Sequence, residues 1–155
     1  MKKFIFLLLM CMPVSYLQAA EIPVTMHALG SDGIEKAIGV IVVSETANGL
    51  RFQPHLQNLQ PGNYTFSVNE NVGCGSQINQ TGMNIPGMAA GASMHQLPII
   101  TVNANGKVDT AITVDGLSLG QVRGRTLVLS TKASGMRTAH GDEARVACGS
   151  LELYR

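Results

Sequence analysis

Leu59-Gln60-Pro61-Gly62-Asn63-Tyr64-Thr65-Phe66-Ser67-Val68-Asn69 opens on turn residues and then alternates. Side chains of a strand point to opposite faces in turn, so Tyr64, Phe66 and Val68 share one apolar face. Runs of the same kind lie on either side. Residues 23–29 alternate and end at Gly30-Ser31-Asp32-Gly33, residues 37–43 are β-branched and apolar, and the short run 50–52 follows Thr46-Ala47-Asn48-Gly49. Residues 99–102 and 108–114 flank Asn103-Ala104-Asn105-Gly106, the signature of a hairpin. Residues 127–129 and 146–153 complete the set. Evenly spaced strands without a convincing amphipathic helix predict an all-β antiparallel sandwich or barrel. Helix has room only for a turn or so within the long loops.

Two segments do not read as strands. Residues 73–96 form a long loop rich in Gly, Asn, Ala and Met, and residues 131–144 form a second, more polar one. Loops longer than about 15 residues in a compact domain are usually functional or mobile.

The first twenty residues stand outside the domain. Lys2 and Lys3 precede the apolar run 4–12, and the small residues Ala19 and Ala20 precede Glu21. That order is a secretory signal peptide, cut after Ala19 or Ala20, and the run falls short of the about 20 residues that span a bilayer. Cys11 leaves with it. The expected division is therefore 1–20 signal peptide and 21–155 a single domain, periplasmic or secreted. That domain carries nine Lys/Arg against ten Asp/Glu, since two of the 11 basic residues leave with the signal. No basic stripe invites nucleic acid, and aromatic side chains are sparse. No later segment is long and apolar enough to span a membrane.

Cys74 and Cys148 survive processing, and an even pair in an exported chain reads as a disulfide. A reactive or metal-binding thiol pair would favour the CxxC spacing that is missing here.

The order of these features resembles the bacterial exported copper–zinc superoxide dismutases over nearly the whole mature chain. The resemblance rests on Gly49-Leu50-Arg51-Phe52-Gln53-Pro54, the segment from Leu59 to Phe66, Cys74, Leu97-Pro98, and above all Arg145-Val146-Ala147-Cys148-Gly149. It implies an eight-stranded Greek-key barrel with two long loops and a Cys74–Cys148 disulfide. It also implies that Arg145 matches the family's anion-guiding arginine. The chain departs from the family where the metals bind. The positions of two copper histidines read Ser67 and Asn69, and a third falls at Ser130. The metal-binding loop retains His95 alone, and its aspartate position reads Gln96. Dismutation needs a centre that accepts and returns one electron, which the metal supplies. A hydroxyl and a neutral amide replace imidazole poorly at Cu(II), so the chain is expected to be inactive and to need no cofactor.

Four histidines remain: His27, His55, His95 and His140. His27 reads as an outward strand residue and His55 as a turn residue. The resemblance puts His95 and His140 in loops over the family's metal site, where solvated loop histidines are the simpler reading. Met83, Met88, Met94 and His95, with His140, make a soft donor set suited to Cu(I), although methionine also packs loops. Arg145 either attracts a small anion, blunted by Asp142 and Glu143 nearby, or anchors a loop through backbone carbonyls. Three functions follow: a non-catalytic domain binding an unknown protein or small-ligand partner, a copper-binding protein, and a residual dismutase.

Overall fold

The computed structural model describes residues 20–132 and 143–152. Residues 1–19 of the expected signal peptide, and His140 and Asp142, lie outside the described residues. In chain order the strands are β1 (Glu21–Gly30), β2 (Gly33–Glu45), β3 (Gly49–Leu56), β4 (Gly62–Asn69), β5 (Gln77–Ile78), β6 (Asn84–Ile85), β7 (Ser93–Val102), β8 (Ile112–Asp115), β9 (Thr126–Lys132) and β10 (Glu143–Ser150). A 3-10 turn at Met88–Ala90 and the four-residue helix α1 (Leu119–Val122) are the described helical elements.

Eight strands form one antiparallel sheet in the order β7-β4-β9-β10-β1-β2-β3-β8, which curls into a nearly closed barrel. The alternation of β4 sends Tyr64, Phe66 and Val68 inward, as its sequence predicts. They meet Val24, Met26, Ile41, Phe52, Leu127 and Leu129 in a core from which water is excluded. Phe52 on β3 and Phe66 on β4 lie far apart in the sheet order, yet their rings meet edge to face at 5.6 Å. The contact crosses the barrel interior and adds about 1 kcal/mol beyond burial.

The strand pairings correct the expected hairpin. Residues 103–106 do turn: Asn103 Oδ1 accepts from the backbone N–H of Asn105 at 2.9 Å and of Lys107 at 3.0 Å. Beyond the turn the chain does not pair back onto β7. Val108 exchanges two backbone bonds with Leu56, each 3.0 Å, and β8 pairs with β3, setting Leu50 opposite Val114. A turn motif dictates a local reversal, whereas the neighbour of the returning strand is set by which edge needs cover. β3 also runs to Leu56, so His55 lies on a strand rather than in a turn. No ladder joins β7 to β8 among the described residues, and this leaves a seam in the barrel.

The expected loop 73–96 both begins and ends earlier. Residues 70–92 form a strap containing the separate β5–β6 hairpin, and β7 takes over at Ser93. Met94, His95 and Gln96 are therefore strand residues.

Candidate functional site

The outward faces of β4, β9 and β10 make a small grid. Pairing sets Thr65 beside Ser130 and Ser130 beside Arg145, then Ser67 beside Val128 and Val128 beside Cys148, and finally Asn69 beside Thr126. Alternation alone would leave this face to solvent, yet Ser67 is 9 %, Asn69 2 %, Thr126 0 % and Ser130 7 % exposed. The strap covers them. Asn84 Nδ2 ties its hairpin to Ser31 O at 2.9 Å, and Cys74 is disulfide-bonded to Cys148. Its two ends pair, Glu70 N with Ala92 O and Asn71 N with Ala90 O, both at 3.0 Å.

Every polar group beneath the strap has a partner. The Ser67 hydroxyl donates to Asn69 Oδ1 at 2.8 Å, and Asn69 Nδ2 donates to Gly91 O at 2.8 Å. Thr126 Oγ1 donates to Asn71 O at 3.1 Å, and the Thr65 hydroxyl donates to Ser130 O at 3.2 Å. Arg145 donates through one guanidinium nitrogen to Gly87 O at 2.5 Å and through another to Gly91 O at 2.6 Å. Half-burial pushes the Arg145 pKa down from the usual arginine value. Among the described residues no buried side-chain polar atom lacks a partner.

Two glycines make this fit possible. Gly87 (φ 69°) and Gly91 (φ 76°) are left-handed. A Cβ at Gly87 would lie 2.7 Å from Leu29 Cδ1, and one at Gly91 2.6 Å from Glu70 Cγ. Glycine alone lets both carbonyls approach Arg145.

The residues singled out from sequence divide between the two faces of the sheet. Ser67, Asn69, Ser130, Arg145 and the disulfide share the covered outer face, with Gln96 paired to Ser67 and bonded to Phe66 O at 3.4 Å. His95 pairs with Val68, so it lies on the opposite side of β7, toward the seam. The loop position the resemblance implied for it is corrected, because β7 already begins at Ser93. Met94 lines the seam with it, whereas Met83 flanks the hairpin tied to the β1–β2 turn. His27 bonds Glu35 O at 3.3 Å and His55 is exposed. Among the described residues no three of His, Cys, Asp or Glu converge.

Thr126, Asn71 and the Arg125–Glu70 contact, in which Arg125 donates to Glu70 O, were not singled out from sequence. The alternation of Thr126, Val128 and Ser130 along β9 was the available signal.

The seam is a second concavity. Residues 94–97 of β7 face residues 114–117 within and after β8 across a cavity of about 270 Å³, which Gln121 of α1 also lines.

An antiparallel Greek-key-like barrel with this disulfide and this covered outer face defines a dismutase-type domain. Residues 37–151 match the family model for copper/zinc superoxide dismutase (SODC), and the chain belongs to that family. It is 29 % identical to superoxide dismutase (Cu-Zn) 2 of Salmonella typhimurium, over 87 % of this chain and 90 % of that protein. Superoxide dismutase (Cu-Zn) 1 of the same species is 30 % identical over 83 % and 85 %. The Cu/Zn superoxide dismutase structure from Brucella abortus superposes with a TM-score of 0.75 at 28 % identity, covering 86 % of this chain and all of that one. Among the described residues no helix is long and apolar enough to cross a membrane.

Proposed function

We propose that this chain is an exported member of the copper/zinc superoxide dismutase family that has lost the copper and zinc ligands and acts as a non-catalytic binding protein. The observation that carries this reading is the hydrogen-bonded chain Ser67–Asn69–Gly91–Arg145. At the positions the resemblance matches to copper ligands it offers a hydroxyl bonded to a neutral amide, and that amide is bonded in turn to the strap. Imidazole nitrogens suit Cu(II) and Zn(II); this donor set does not fit either ion. Arg145 acts here as an anchor for the strap, because both its bonds go to backbone carbonyls. A scaffold kept while its site chemistry changes is consistent with function residing in sites rather than folds. The charged, apolar and small-residue order of the first twenty residues supports export, as does the disulfide.

The test is metal content and Cu(I), Cu(II) and Zn(II) titration of the mature, oxidised protein, with superoxide consumption measured on the copper-loaded sample. Substoichiometric metal and background consumption are expected. One tightly held copper lost on replacing Met83, Met88, Met94 and His95 would make the chain a copper-binding protein instead. Superoxide consumption well above free-copper controls would restore the enzyme.

A further inference from the structure

β7 and β8 are the two terminal strands of the sheet, and no backbone hydrogen bond crosses between them among the described residues. A free strand edge is a template for another strand, which natural proteins blunt with charge, proline or a bulge. β7 carries no Asp, Glu, Lys or Arg, and the stretch from Asn71 to Gly106 carries none either. Its protection is Pro98, which removes one N–H at an irregularity in the β4 pairing. The cavity lies N-terminal to that proline, along residues 94–97.

The lining says what chemistry fits. Leu97 and Leu117 are buried beneath it, so the surface the cavity presents is mostly polar. Asp115 is the one Asp, Glu, Lys or Arg of the lining, and its carboxylate is exposed and makes no hydrogen bond or ion pair with the described residues. The His95 side chain is equally unengaged. A volume near 270 Å³ is below the about 300–1,000 Å³ of small-molecule and cofactor pockets, and suits one side chain of a longer ligand.

We propose that the open end of the β7–β8 seam binds an extended peptide segment of a partner protein, paired to the free edge at residues 94–97 and placing a lysine or arginine side chain on Asp115. Main-chain bonds to the edge supply affinity and the acidic cavity supplies selectivity, the division of labour of strand addition. Charge complementarity excludes acidic segments, because Asp115 would face them without a counter-ion. The inference deepens the binding reading above and rests on it.

The experiment uses the mature, oxidised chain, ¹⁵N-labelled, titrated with a blocked seven-residue Thr/Val peptide bearing one central lysine. Amide shifts confined to residues 93–97 and 112–117 are expected, with affinity about three- to fivefold lower for Asp115→Asn, the size of an accessible ion pair. The same peptide with a central glutamate, or with alternate backbone amides methylated, is expected to bind at least tenfold more weakly. The peptide variants leave the protein unaltered, so they read the site even if Asp115→Asn were misfolded. No shifts at millimolar peptide, shifts mapping elsewhere, equal binding of the glutamate peptide, or equally tight binding of blocked lysine alone would each overturn the proposal. Copper titration of the same sample fails or succeeds independently and reports on the loss of the metal site.

Discussion

Removing the Cys74–Cys148 crosslink tests how the strap is held. The two cysteines are 74 residues apart, so the bond closes a large loop in the unfolded chain. Chain-entropy reasoning puts its contribution at about 4 kcal/mol. With an unfolding entropy of about 2.1 cal/mol/K per residue over a domain of this size, that corresponds to a Tm lower by about 15 °C. Cys148 is fully buried and Cys74 nearly so, which shields the bond from reductant in the folded state. The Cys74→Ala/Cys148→Ala double variant is therefore the cleaner perturbation. Both cysteines pack with Ala90 and Val128, so the loss is also local. Ala89 N–H, bonded to Gly75 O at 3.0 Å, is expected to exchange faster, while the amides of β1 and β2 follow only the global change. The assay is calorimetric melting combined with hydrogen exchange read by mass spectrometry. A Tm within about 4 °C of the oxidised protein, roughly 1 kcal/mol, with Ala89 equally protected, would refute the reasoning.

Arg145→Met keeps the volume of the stem and removes both carbonyl bonds. A loss of about 3 kcal/mol is expected in urea denaturation, with faster exchange at Gly91 than in the sheet. Unchanged exchange at Gly91 would mean that Arg145 does not hold the strap. Tyr64 donates to Gln60 O at 2.7 Å, and burial raises its phenol pKa above 10.0 while that bond opposes the rise. Because the folded-state value lies above the unfolded one, its stabilisation is present below about pH 10 and is lost as pH rises through the folded value. Tyr64→Phe is expected to cost about 1 kcal/mol at neutral pH and to flatten the alkaline limb of the stability profile, followed by tyrosinate absorbance and melting.

Much of the fold is legible because strand alternation is a local code. Tyr64, Phe66 and Val68 declare an inward face, and the turns at 31–32 and 103–106 declare reversals. The Cys74–Cys148 bond is legible from the count of cysteines after residue 20 and from the family pattern. The neighbour of β8 is not legible, since the choice between β7 and β3 is made by long-range cover of the barrel rather than by the turn. Nor is the side of β7 on which His95 lies. It depends on the register with β4, and a shift of one residue reverses every side chain.

The same division holds for the candidate site. Sequence by itself determined that positions 67, 69 and 130 carry hydroxyl and amide side chains, because residue identity needs no coordinates. It also determined that 71–106 is free of Asp, Glu, Lys and Arg. By alternation Ser67 and Asn69 read as solvent-facing, and only the tertiary structure made them buried, by laying residues 70–92 across them. The tertiary structure also brought Arg145 within hydrogen-bond distance of Gly87 and Gly91, more than fifty residues away in sequence. It alone left β7 without a neighbour at the seam. The physical reason is common to all three. Backbone and side-chain polar groups must find partners once water is excluded, and those partners come from whichever distant segment the closed barrel brings over them.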